Sequence, residues 1–185
     1  MKGNIKFEKF SSEIRKEIES FRSDAQKKGE EKSLEEAMVQ WFDSSFDQWV
    51  IKRFNLEPVN NKRRHFRLNV EIPIRIIETL IESSHEDKEA HDLVGNIINI
   101  SKGGLYFKYR WPIEISSIIK VQIDLPSIDK DLDRIEALAM VVRMDKVSRD
   151  EYGIGVMFSS IYDSDKFNLD LFILNNLSYH LYTGQ

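Results

Sequence analysis

The period of the apolar residues changes twice along this 185-residue chain. Up to about Phe54 they recur at helical spacing. From Leu68 they alternate with polar residues, the two-residue period of a strand with one buried face. From Asp163 the helical spacing returns. A chain so ordered must build a β domain flanked by helical pieces, because neither period can satisfy the geometry of the other.

The first stretch reads as two helices. In the first, Ile14, Ile18, Phe21 and Ala25 form the apolar face. Lys27, Lys28 and Gly29 suit its end: lysines complement the helix dipole, and glycine tolerates the left-handed cap conformation. The second opens on Ser33-Leu34-Glu35-Glu36, a capping box in which Ser33 and Glu36 can satisfy each other's end groups. Leu34, Met38, Trp41, Phe42, Phe46, Trp49 and Val50 follow. So aromatic a face must be covered, by the first helix, the domain that follows, another copy of the chain or a partner protein.

Asn55 to Lys62 is polar, contains one proline and reads as a connector. Beyond it, Val70, Ile72, Ile74 and Ile76 alternate with Asn69, Glu71, Pro73 and Arg75, and Pro73 points to an edge or a bulge. Ser83 to Asp92 is a charged loop. Leu93 to Asn99, Leu105 to Tyr109, Ile118 to Leu125, Ile135 to Met144 and Tyr152 to Phe158 are further strands. Short strands at this spacing predict a small antiparallel barrel. In the last helix Phe167, Leu171, Leu174 and Leu177 form the predicted stripe, with Ile173 and Leu181 beside it and Asp163 or Ser164 as its cap. The expected division is a helical segment over 1–55, a linker over 56–62, a barrel over 63–160 and a C-terminal helix over 161–185, packed on the barrel.

Composition narrows the chemistry. Cysteine is absent, which excludes disulfides, thiolate metal sites and cysteine nucleophiles. No apolar run reaches the ~18–20 residues of a membrane span. Met1 to Phe10 lack a signal-peptide core. The expected location is therefore the cytoplasm. A formal charge of −4 argues against a general nucleic-acid binder, which normally carries a net basic surface.

On that acidic background Lys62, Arg63, Arg64 and Arg67 are a local basic cluster. In an extended segment, residues four apart lie on one side, roughly 13 Å apart at ~3.3 Å per residue. Two guanidinium groups so placed can bracket a compact anion carrying separated phosphates and purines. Arginine binds guanine O6 and N7, or two phosphate oxygens, through its planar fork. A solvated charge run is the plainer reading of the same residues. Further on stands Asn99-x-Ser101-x-x-Gly104. These residues can form a hairpin turn, with Asn and Ser bonding their own backbone and Gly supplying a positive φ. They can equally face a ligand, the Asn oxygen accepting from a guanine edge and Gly103 and Gly104 letting the backbone approach the base.

Read together, Arg63-x-x-x-Arg67 followed by Asn99-x-Ser101-x-x-Gly104 resembles the signature of PilZ domains, the bacterial receptors for cyclic di-GMP. Gly103-Gly104-Leu105-Tyr106-Phe107 and Gly155-Val156-Met157-Phe158 resemble two further stretches of that family. The resemblance covers about Lys62 to Ser160. It implies a six-stranded antiparallel PilZ-type barrel and a cyclic di-GMP ligand, often bound as an intercalated dimer. Arg63 and Arg67 would contact phosphates and guanines, with Arg64 an additional contact. Asn99, Ser101, Gly103 and Gly104 would form the opposite wall. Asn stands at 99 where aspartate is frequent, which keeps the acceptor and removes the charge. The implied protein is a nucleotide-controlled effector, not an enzyme, with no further cofactor. Its output would pass through a protein partner or self-association of the N-terminal helices, to a process such as motility, exopolysaccharide synthesis, adhesion or virulence.

Two rivals accompany this reading. One is a PilZ-like adaptor working through protein contacts, with weak or no ligand binding; the aromatic helix and Asn99 motivate it. The other is a single-strand nucleic-acid binder using Arg63, Arg64, Phe66 and Arg67. His85 and His91 lack metal-site spacing, so no metal is expected. His65 either lines the site or stands by. Ser101 lacks the G-x-S-x-G elbow of a nucleophile, and no catalytic residue is assigned.

Overall fold

The computed structural model describes residues 11–53, 65–79, 93–126 and 132–183. Its backbone divides into two compact units, Met1–Phe66 with Ile173–Gln185, and Arg67–Phe172. The division falls at Phe66–Arg67, inside the basic motif. The expected linker 56–62 lies outside the described residues, as do Lys62, Arg63 and Arg64, and the Ser83–Asp92 loop with His85 and His91.

In the helical unit, α1 (Ser12–Lys27) starts at Ser11, whose hydroxyl accepts the Ile14 N–H at 3.3 Å. It ends as the glycine foretold. Gly29 sits at φ +84, Glu30 N–H reaches Ala25 O at 3.1 Å, and Gly29 N–H reaches Gln26 O at 3.0 Å. This pair of bonds is a Schellman cap. The capping box forms at α2 (Leu34–Ser44): Ser33 Oγ accepts from Glu36 N–H at 3.1 Å, and Glu36 Oε2 accepts from Ser33 N–H at 2.9 Å. Losing such a cap costs about 0.5–2 kcal/mol.

The single second helix of the sequence reading is bent into two, α2 and α3 (Phe46–Arg53). Ser44 Oγ donates to Gln40 O at 2.7 Å, a side-chain bond to the preceding turn that bends helices. Ser45 opens to φ −124, yet its N–H still reaches Trp41 O and its carbonyl still accepts from Trp49 N–H. The bend gathers the aromatic stripe into a cluster. Phe42 stacks on Phe46 at 4.5 Å, and Trp41 meets Phe46 and Trp49 edge-on at 5.8 Å each. Each such pair adds ~0.5–1.5 kcal/mol beyond burial. Trp41, Phe42 and Phe46 are buried and Trp49 is half-buried, so the stripe is interior. Arg53 closes the unit: its Nε and Nη2 donate to Glu13 Oε2 and Oε1 at 2.7 and 2.9 Å, joining the end of α3 to the start of α1.

The second unit is a closed antiparallel barrel in the order β1-β2-β3-β6-β5-β4. Its strands are β1 (Leu68–Thr79), β2 (Val94–Ser101), β3 (Gly104–Tyr109), β4 (Ile118–Pro126), β5 (Leu132–Ser148) and β6 (Glu151–Ile161). The alternating residues fill it: Ile72, Ile74, Ile97, Phe107, Val121, Ile123, Ile135, Ala139 and Ile154 are buried. Closure leaves β1 no free edge, which corrects the edge reading of Pro73. The strand instead accommodates the proline beside an irregularity between Asn69 and Ile72, and pairing with β4 begins only at Ile74. β5 runs longer than its apolar stretch suggests because it serves two neighbours in turn. Leu132 to Met140 pair with β4, and Ala137 to Ser148 pair with β6.

The last helix, α4, spans Asp163–Thr183. It begins one residue before the expected caps could act. Tyr162 O accepts the first bond, from Lys166 N–H, so Asp163 and Ser164 are already inside the helix. Asp165 Oδ2 instead accepts Glu136 N–H of β5 at 2.9 Å, fixing the helix start to the sheet. The buried face is also rotated from the predicted stripe. Leu169, Asp170, Phe172, Ile173, Leu174 and Leu177 are buried, while Phe167 and Leu171 are half-exposed.

Candidate ligand-binding face

The register of β1 against β2 positions the described motif residues. Leu68 pairs with Ile100 and Asn69 with Asn99. Arg67 precedes the first of these and Ser101 follows its partner, so the last residue of the arginine motif and the Asn99–Gly104 motif meet at one end of one ladder. Leu68 and Ile100 are buried in the barrel, which turns their neighbours to the outer face. Arg67 and Asn69 are exposed there and Asn99 is half-buried.

The row continues across the sheet. Asn99 pairs with Tyr106, Tyr106 with Gly155, and Gly155 with Arg143. The Tyr106 ring lies along β6 over its glycines. A Cβ on Gly153 would overlap the Tyr106 hydroxyl, and one on Gly155 would come 3.3 Å from Arg143 Cβ and 3.7 Å from the Tyr106 ring. The Arg143 guanidinium stands 6.0 Å from that ring. An amide, an aromatic face and cations therefore share one outer surface beside the motif.

The β2–β3 turn is built by its own residues. Ser101 is buried; its hydroxyl donates to Gly104 O at 3.0 Å and accepts from Gly103 N–H at 3.4 Å. Phe158 N–H of β6 donates to Gly103 O at 3.1 Å. Neither Gly103 nor Gly104 has a positive φ; among the described glycines only Gly29 does. The expected reason for glycine here is thus corrected. Gly104 is needed for close approach: a Cβ would sit 2.1 Å from Val156 O, inside the adjoining strand. The Ser101 hydroxyl shapes the turn and so fixes where Asn99 and the glycine backbone stand.

On the other side of the division, the middle of the basic motif is held by a residue that sequence reading missed. Asp47 Oδ1 accepts the Phe66 N–H at 2.7 Å, and its Oδ2 lies 3.0 Å from His65 Nδ1. Phe66 is half-buried and meets Phe46 edge-on at 6.2 Å. Its ring packs against the aromatic cluster, which leaves only part of it accessible for the base stacking of the nucleic-acid reading. No local pattern marks Asp47; it looks like an acidic residue in a first helical turn.

Among the described residues no cluster of three or more His, Asp or Glu could hold a metal, and no helix is long and apolar enough to cross a membrane.

The family model of the PilZ domain matches residues 61–174, and the chain belongs to that family. Among solved structures, the inhibitor of motility MotI/DgrA of Bacillus subtilis matches with 19% identity and a TM-score of 0.49, over 63% of this chain and 52% of its own. The chain thus spans about half the length of that protein. The PilZ domain of YcgR from Escherichia coli, solved with c-di-GMP, matches with 9% identity and a TM-score of 0.46, over 68% of this chain and 99% of its own. The K. pneumonia MrkH–c-di-GMP complex matches with 17% identity and a TM-score of 0.45, over 68% and 55%. A search of the curated proteins finds no match.

Proposed function

We propose that this protein is a cyclic di-GMP-binding effector. The observation that supports the reading is the β1–β2 register, in which Asn69 pairs with Asn99 and Arg67 stands at the end of the ladder where the Ser101–Gly104 turn begins, in a chain of the PilZ family. Arg63 and Arg67 present guanidinium forks to the phosphates and guanine edges, and Arg64 adds a further contact. Asn99 accepts from a guanine N–H. The Gly103-Gly104 backbone admits the base, and Ser101 keeps the turn in shape. The protein acts as a receptor, without a catalytic residue or metal, and works in the cytoplasm.

Ligand held between the arginine segment and the Asn99–Gly104 turn orders the 56–62 linker and thereby re-poses the helical segment, which passes the signal to a protein partner. This is a population shift: the ligand favours the arrangement in which both motifs engage it. The rival adaptor reading took the aromatic stripe as a partner surface. Trp41, Phe42 and Phe46 are buried and Trp49 is half-buried, so among the described residues the stripe lends that reading little exposed surface.

Titration calorimetry with cyclic di-GMP tests the reading. Wild-type protein should bind. Arg63→Ala and Arg67→Ala should each weaken binding at least about tenfold, as expected for losing charged hydrogen bonds of ~1.5–3 kcal/mol. No heat from wild-type protein at high micromolar ligand would remove the function. Unchanged binding by the double variant would remove the site.

A further inference from the structure

Tyr106 stands between Leu105 and Phe107 of β3, both buried in the barrel, so its own side chain points outward. The residues of β6 that face it, Gly153 and Gly155, have no side chain to set against it, and the ring fills the space they leave. A Cβ on Gly153 would come 2.5 Å from Tyr106 Cζ, and one on Gly155 would come 3.7 Å from its Cδ2, so the ring lies along the strand. Tyr106 is nonetheless only half-buried, and part of the ring stays open to solvent. On its other side it pairs with Asn99. Directly opposed residues hold their Cβ atoms about 4.5–5.5 Å apart on one face, close enough for a single planar base to meet both. Gly155 in turn pairs with Arg143, whose Nε lies 2.5 Å from Asp145 Oδ2 and whose guanidinium stands 6.0 Å from the ring centre. All of these residues belong to the barrel unit.

We infer that Tyr106 is a stacking platform for a guanine of cyclic di-GMP. The base rests on the ring and turns its edge to Asn99, with the Arg143 cation at the far side of the platform. This rests on the function proposed above and adds to it a contact with the face of the base, where Asn99 meets the edge. The two contacts divide the work. Every base has a π-face, so stacking supplies affinity without choosing the base; the edge contact makes the choice. The glycines are what let the ring lie down, since a side chain at 153 would lift it from the strand. A ring already laid on backbone does not have to be ordered when the ligand arrives, which lowers the cost of binding.

The test is calorimetry with cyclic di-GMP on the full chain, wild type beside Tyr106→Phe and Tyr106→Leu, with thermal melts of each. Tyr106→Phe keeps the ring and should bind like wild type. Tyr106→Leu still covers the glycines but offers no π-face, and should bind about tenfold more weakly. A merely structural ring would move the melts and leave the affinity alone. Wild-type affinity in Tyr106→Leu, or equal weakening by both variants, would overturn the platform while leaving the receptor in place. A wild-type protein that does not bind would overturn the function proposed above, and this inference with it. A second readout does not depend on the leucine variant folding. The Tyr106 ring protons, assigned by their absence from the Tyr106→Phe spectrum, should move upfield as ligand is added, because the ring current of a stacked base shields them. Ring protons that stay in place in the ligand-saturated protein would overturn the platform.

Discussion

The helices of the first unit are capped by near neighbours, whereas the barrel closes on residues far along the chain. Ser33 and Glu36 satisfy each other three positions apart, and Gly29 finishes α1 through Gln26. In the barrel, β1 pairs with β2 on one side and with β4 on the other, and every ladder must be in register for the ring to close. A local cap can fail and cost one helix turn. A slipped ladder would turn each side chain of that strand to the opposite face. The row from Asn69 to Arg143 is of the second kind, so the candidate face depends on barrel closure. Its helical counterpart at Asp47 depends on a bend and a short carboxylate reach.

The sharpest way to break this comparison is to empty each core in turn. Phe46→Ala and Phe107→Ala each remove a fully buried ring and should each cost about 3–5 kcal/mol. Residue-resolved amide exchange should show Phe46→Ala releasing amides in 12–53 while the strands stay protected, and Phe107→Ala releasing the strands together. Equal release everywhere by Phe46→Ala would mean that one cooperative unit spans the chain.

A smaller effect tests closure at the turn. Gly104→Ala drives a Cβ into the Val156 carbonyl, and backbone cannot swing aside as a side chain can. It should cost about 1–3 kcal/mol, as overpacking does. Gly155→Ala meets Arg143 Cβ at 3.3 Å and should cost less. Denaturant midpoints order the two, and the reverse order would show that the β3–β6 approach is not the constraint.

The smallest effect concerns acid. The hydrogen bond from Arg53, with its charge, holds the Glu13 carboxyl below the usual carboxylate range. A lowered folded-state value gives stability that is present above the unfolded value and lost as pH falls through the folded one. Melts from about pH 6 to about pH 3 should therefore show the helical unit weakening, and Arg53→Ala should flatten part of that slope. The pair is half-exposed, so the contribution is small. Asp124 is lowered in the same sense by Arg134, and Arg134→Ala supplies the matching measurement in the barrel.

Much of the fold could be read in advance where the signal is local. The Gly29 cap, the Ser33 box, the start of β3 and the buried alternation of β1 all follow from residues within a few positions of one another. The α4 stripe shows the limit. Its spacing was right, but which side faces inward is a matter of burial, and Leu169, Asp170 and Ile173 occupy the face expected of Phe167 and Leu171. At the candidate site the motif residues stood out by type and order, while the reason for each did not. Gly104 answers to the Val156 carbonyl in a strand far down the chain, and the Ser101 hydroxyl is occupied by its own turn.

From the sequence alone come the element types, the caps and the family motifs, because periodicity and cap bonds act over three or four residues. The register that sets Arg67 beside Ser101, the bend at Ser45 and the reach of Asp47 to Phe66 were decided only in the folded chain. Each joins residues that have no contact until apolar burial has brought their elements together, and one linear pattern is compatible with many such pairings.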